Sequence, residues 1–136
     1  MKINHYLFFD GNCEEAFKWY AKIFGVDDLY AQRFGDMPGE SPFPKDMDDK
    51  IMHVALSLEG GCLMGSDDPT GDYQKPGGMA ISLNFDTVEE AREIFEKLSE
   101  GGTVKMNFEP TFFSPGFGVL EDKFGIPWMV NTMEPE

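Results

Sequence analysis

The stretch Tyr6-Leu7-Phe8-Phe9-Asp10-Gly11-Asn12-Cys13-Glu14-Glu15-Ala16 passes from strand to helix within a few residues. Ile3 to Phe9 is rich in aromatic and aliphatic side chains and reads as a strand, and Asp10-Gly11-Asn12 ends it in a turn. Asn12 is placed to cap a helix, with Glu15 reaching back to the cap. Cys13, Ala16, Phe17, Tyr20 and Phe24 then recur at three- and four-residue spacing, one apolar stripe that Gly25 terminates.

Beyond that helix, Leu29 to Phe34, Ile51 to Leu58 and Cys62 to Ser66 read as strands, the last two joined at Glu59-Gly60-Gly61. Residues 35–50 form a long loop with Pro38, Pro42 and Pro44 and the acidic residues Asp46, Asp48 and Asp49. A loop of this length is expected to be a flap or partly disordered. After the Gly/Pro/Asp-rich stretch 67–77 the pattern restarts. Met79 to Phe85 is a strand, Thr87 with Glu90 is a capping box, and Ala91, Ile94, Phe95 and Leu98 form a second stripe closed by Gly101-Gly102. Thr103 to Phe108, Gly118 to Glu121 and Ile126 to Asn131 supply three more strands.

An offset of 75 residues carries Glu14-Glu15-Ala16 onto Glu89-Glu90-Ala91, both in the first turn of a helix. The chain is therefore α+β: two βαβββ modules, about 1–68 and 77–134, within a single domain of 136 residues. A lone module buries too little apolar surface to be stable by itself.

Composition narrows the partners. A net charge of −14, with 11 Lys and Arg scattered along the chain, disfavours nucleic acid and anionic membrane. No apolar run is long enough to span a bilayer and the start lacks a signal-peptide core, so a cytoplasmic location is expected. Cys13 and Cys62 are then expected as reduced thiols. Cys13 at a helix N-terminus would be activated, but its place on the apolar stripe favours burial. The acidic loops lack calcium-ligand spacing. Thirteen Phe and nine Met supply bulky filling for a core or an apolar pocket.

The βαβββ repeat resembles the vicinal oxygen chelate (glyoxalase/bleomycin-resistance/dioxygenase) superfamily. Its PhnB-like branch is resembled in the opening stretch and in Phe24-Gly25, Phe34-Gly35-Asp36-Met37-Pro38 and Ile51-Met52-His53-Val54. The likeness continues in Leu63-Met64-Gly65-Ser66-Asp67 and Asp122-Lys123-Phe124-Gly125-Ile126-Pro127-Trp128. Some members carry a 3-demethylubiquinone methyltransferase label. No G-x-G-x-x-G turn for such a cofactor occurs among the glycine pairs here.

The resemblance implies paired modules curling around a cleft, a side-by-side homodimer, and a divalent metal held from the first and last strands of each module. At those positions stand His5, Ala80, Met64 and Met129. Only His5 matches a usual ligand, so no metal or other cofactor is expected. Along residues 51–58, alternation sets Met52, Val54, Leu56 and Leu58 against the helix and turns His53 to the cleft. By resemblance His5, with Leu7 on its face, also points into the cleft, where two histidines could bind a ligand or act as an acid–base pair. Met64, Ser82 and Met129 complete the expected wall, with Phe112 and Trp128 beside them. The expectation is a binder of a small, partly apolar molecule. Two rivals stand against it: a metal-dependent glyoxalase-type lyase, isomerase or dioxygenase, and a non-catalytic structural or regulatory partner protein.

Overall fold

The computed structural model describes residues 1–133. The chain divides into two compact units, residues 1–74 and 75–136. Module one contains β1 (His5–Phe9), α1 (Cys13–Phe24), β2 (Leu29–Arg33), β3 (Ile51–Leu58) and β4 (Gly61–Asp67). Module two contains β5 (Ile81–Phe85), α2 (Val88–Ser99), β6 (Thr103–Glu109), β7 (Phe117–Glu121) and β8 (Pro127–Thr132). Each module is one four-stranded mixed sheet, ordered β1-β4-β3-β2 and β5-β8-β7-β6. The opening and closing strands of each pair in parallel and the remaining pairs are antiparallel. The expected architecture of two βαβββ modules is thus the observed one.

In module one α1 lies on one face of the sheet. Leu7, Phe9, Val54, Leu56 and Leu63 meet Ala16, Phe17 and Tyr20 there, all buried. Phe17 sits directly over β4, where a Cβ at Gly65 would come within 2.7 Å of its ring and 2.8 Å of the Leu7 carbonyl. Only glycine allows that approach. Module two repeats the device: a Cβ at Gly118 would come within 2.6 Å of the Phe95 ring on α2.

The two helices start differently. Thr87 caps α2 as expected, its hydroxyl accepting from the Glu90 N–H at 3.2 Å. Asn12 makes no such bond. The cap of α1 comes from the end of β4, where one Asp67 carboxylate oxygen accepts the N–H groups of Gly11 (2.9 Å) and Cys13 (3.0 Å). The other oxygen accepts the Ile51 N–H at 3.0 Å. Gly25 ends α1 in the left-handed conformation, as its position predicted.

The 75-residue offset holds for the helices and shifts by one in the opening strands, β1 and β5. Three residues, Asp10-Gly11-Asn12, join β1 to α1, whereas Asp86-Thr87 alone join β5 to α2. Leu83 and Phe85 consequently take the places of Leu7 and Phe9. The counterpart of His5 is Ile81, which pairs with Trp128 as His5 pairs with Leu63. Ala80, assigned to that place from sequence, precedes the strand.

Residues 35–50 are a tethered excursion with two short 3-10 turns, Phe34–Asp36 and Lys45–Met47. The Phe34 and Gly35 N–H groups donate to the carbonyls of Lys50 and Asp48 (both 3.0 Å), and Phe34 meets Phe43 edge to face. Arg33 reaches back to the Glu14 carboxylate and to the Asp49 carbonyl. The Arg33 guanidinium holds the Glu14 carboxyl below the usual carboxylate range. Among the described residues, no helix is long and apolar enough to cross a membrane.

Candidate functional site: the open sheet faces

With α1 and α2 each covering one face, the opposite face of each sheet presents side chains that no element of its own module covers. In module one the register draws a row across four strands, Tyr6–Met64–Ala55–Tyr30. One step along lie Phe8 beside Ser66 and His53 beside Gln32. Tyr6 is 40% exposed, Phe8 55% and Tyr30 56%, which is unusual for large apolar rings. The Tyr6 ring stacks on His53 with centroids 5.7 Å apart and meets Phe8 at 5.2 Å. The Tyr6 hydroxyl lies 3.2 Å from His53 Nδ1. The roles in this bond follow the tautomer: where the hydroxyl donates to Nδ1, the ring carries its proton on Nε2.

Module two builds the equivalent rows from other chemistry. The first is Ser82–Met129–Val119–Met106 and the second Asn84–Asn131–Phe117–Glu109. The Asn131 amide donates to the Asn84 side-chain oxygen at 3.1 Å. Phe117 carries a chain of edge-to-face rings outward through Phe113 to Phe112.

The residues singled out from sequence divide accordingly. His53 and Met64 lie on the open face of module one, and Ser82 and Met129 on that of module two. His5 shares its side with Leu7 and Phe9, as read, but that side faces α1. His5 and His53 therefore occupy opposite faces of one sheet, which separates the two histidines that could have acted as an acid–base pair or bound a ligand together. Leu7 is a buried core residue. So is Trp128, fully enclosed, with its indole N–H donating to the buried Asp122 carboxylate at 2.8 Å. Asp122 also accepts the N–H groups of Phe124 and Ile126, so this cluster is a structural knot beneath the sheet. Phe112 stands at the tip of the β6–β7 connection, 96% exposed. Tyr6, Phe8, Tyr30, Asn84 and Asn131 are among the open-face residues that sequence reading missed. The Cys13 thiol is buried, and desolvation, reinforced by the charges of Asp67 and Glu14, pushes its pKa far up, so it is inert packing.

A divalent metal in the superfamily's manner would draw its donors from the open-face positions of β1, β4, β5 and β8. Those positions offer the Tyr6 phenol, the Met64 thioether, the Ser82 hydroxyl and the Met129 thioether. Neutral hydroxyls bind hard ions weakly and thioethers prefer soft ones, so this donor set does not fit such an ion. Among the described residues, no three His, Cys, Asp or Glu side chains gather as ligands would.

Comparison with known proteins places this geometry. The family model of the Glyoxalase/Bleomycin resistance protein/Dioxygenase superfamily matches residues 2–130. Protein YjdN of Escherichia coli is 33% identical over all of this chain and 98% of its own length. The crystal structure of protein PA1353 from Pseudomonas aeruginosa is 43% identical, covers 99% of both chains and superposes with a TM-score of 0.89. A PhnB protein from Bacillus cereus is 28% identical, with a TM-score of 0.78 over 97% of this chain and 99% of its own. With its two βαβββ sheets, the chain belongs to the Glyoxalase/Bleomycin resistance protein/Dioxygenase superfamily, in its PhnB-like branch.

Proposed function

We propose that the chain binds a small, partly apolar molecule against its open sheet faces, without the superfamily's divalent metal. The observation that carries this reading is the trio of exposed rings Tyr6, Phe8 and Tyr30 around a Tyr6–His53 hydrogen bond. Exposed rings offer a flat apolar surface, and with the Tyr6 hydroxyl donating to Nδ1 the His53 Nε2–H would add a single directional donor. That pairing suits a planar or aromatic body bearing a carbonyl or other acceptor oxygen. Binding of this kind requires no catalytic group.

The test is a thermal-shift series with aromatic aldehydes, quinones and catechols on the metal-free protein. A ligand that binds the native state raises the melting temperature with concentration. The expected result is such a rise for at least one carbonyl-bearing ring, lost in the Tyr6→Ala/His53→Ala double variant. A flat response across the series supports the rival of a non-catalytic partner protein. Stoichiometric Fe, Ni or Zn in the purified protein supports a metal-dependent lyase or dioxygenase and overturns the proposal.

A further inference from the structure

The open face of module two holds a polar atom whose hydrogen bonding is incomplete. The Asn131 side-chain oxygen is buried and has no donor, although the nitrogen of the same amide bonds to Asn84. Buried amide oxygens are paired in nearly all folded proteins, because an acceptor withdrawn from water without a donor destabilises the native state. No group on the neighbouring rows reaches it, neither the Ser82 hydroxyl nor the Asn84 side-chain N–H groups. Met129 and Val119 are apolar, Phe117 carries only a ring, and Glu109 beyond it is an acceptor when ionised. Asn84 is already engaged through its own oxygen. The Asn131 side chain is nevertheless half-buried rather than enclosed, and Asn84 beside it is exposed. The terminal amide torsion is broad, so a modest rotation turns the oxygen toward an incoming group.

We propose that the Asn84–Asn131 amide pair is a ligand subsite that selects for a hydrogen-bond donor, an amide N–H or a hydroxyl, attached to a flat apolar group lying along Phe113, the exposed ring that meets the buried Phe117. Phe113 is 58% exposed and meets Phe117, the strand partner of Asn131, edge to face at 5.1 Å. The inference rests on the binding reading above and adds to it the donor chemistry that module two reads.

The experiment titrates the isotopically labelled full-length protein with benzamide and, separately, with N,N-dimethylbenzamide, which keeps the ring and carbonyl but has no N–H. Side-chain signals of Asn84, Asn131, Tyr6 and His53 are followed by NMR. Benzamide is expected to shift the Asn131 signals with a dissociation constant on the order of 10 mM, appropriate to a fragment of this size. The dimethyl amide should bind there about tenfold more weakly, because it leaves the acceptor unpaired. Asn131→Leu should abolish that difference, and the wild-type contrast decides the matter by itself if this variant does not fold. Equal or tighter binding of the dimethyl amide overturns the proposal. So does an ordered water that keeps its bond to the Asn131 oxygen in a crystal saturated with benzamide. Shifts confined to Tyr6 and His53 overturn this subsite and leave the binding reading standing, whereas no shift at any of the four residues overturns both.

Discussion

The two modules share a strand order and a helix placement, yet they solve the start of the helix and the chemistry of the open face in different ways. Module one borrows its helix cap from Asp67, at the far end of another strand. Module two supplies its own from Thr87. The open face of module one carries the rings of Tyr6, Phe8 and Tyr30 and an imidazole beside Met64, and that of module two carries the Ser82 hydroxyl, two amides and two thioethers, with its rings set at one end. The shared features are those that bury apolar area, and the differing ones involve polar groups and exposed rings. The fold therefore constrains the helix-facing side of each sheet and leaves the other side free to carry recognition.

The sharpest way to break the comparison is to remove the borrowed cap. Asp67→Ala leaves three N–H groups without their acceptor and should cost about 4 kcal/mol in urea unfolding. At the equivalent strand position, Thr132→Ala should cost about 1 kcal/mol. Comparable losses for the two would mean that Asp67 is not the organiser of module one. Next in size, Gly65→Ala and Gly118→Ala should each cost about 2 kcal/mol by forcing Phe17 or Phe95 off its seat. If either were neutral, the close helix approach would be dispensable in that module. The smallest effect is the most discriminating. Thr87→Ala should cost about 1 kcal/mol and Asn12→Ala only about 0.3 kcal/mol or less, measured by thermal unfolding. A larger loss at Asn12 would restore the local cap that its position first indicated.

Much of this architecture was legible because it is local. The apolar stripe from Cys13 to Phe24, the glycine at position 25 and the Thr87/Glu90 box each act within a turn or two. The alternation in β3 assigned His53 correctly because Val54 and Leu56 contrast with the polar His53 and Ser57. The face of β1 was illegible for the opposite reason. Tyr6 and Phe8 are as apolar as Leu7 and Phe9, so a period of two carries no sense of inside and outside there. Asp67 reads from sequence as part of a solvated acidic loop, yet it is buried, because the groups it caps lie 54 and 56 positions away. Trp128 was misread as pocket wall, although Asp122 six residues before it, opening a glycine-containing turn, was the available sign of a buried partner. Asn131 gave no local signal, since an unpaired atom shows itself only once the neighbouring strands are in place.

The extra residue between β1 and α1 carries a lesson about how far the modules are interchangeable. A length change inside a strand would turn every later side chain to the wrong face, so a turn is where one more residue can be accommodated. In module one that longer turn is also the segment whose N–H groups wrap around Asp67. Turn length and the carboxylate are consequently one unit of design. Grafting the shorter turn of module two into module one would strand a buried charge, unless position 67 were neutralised in the same chimera.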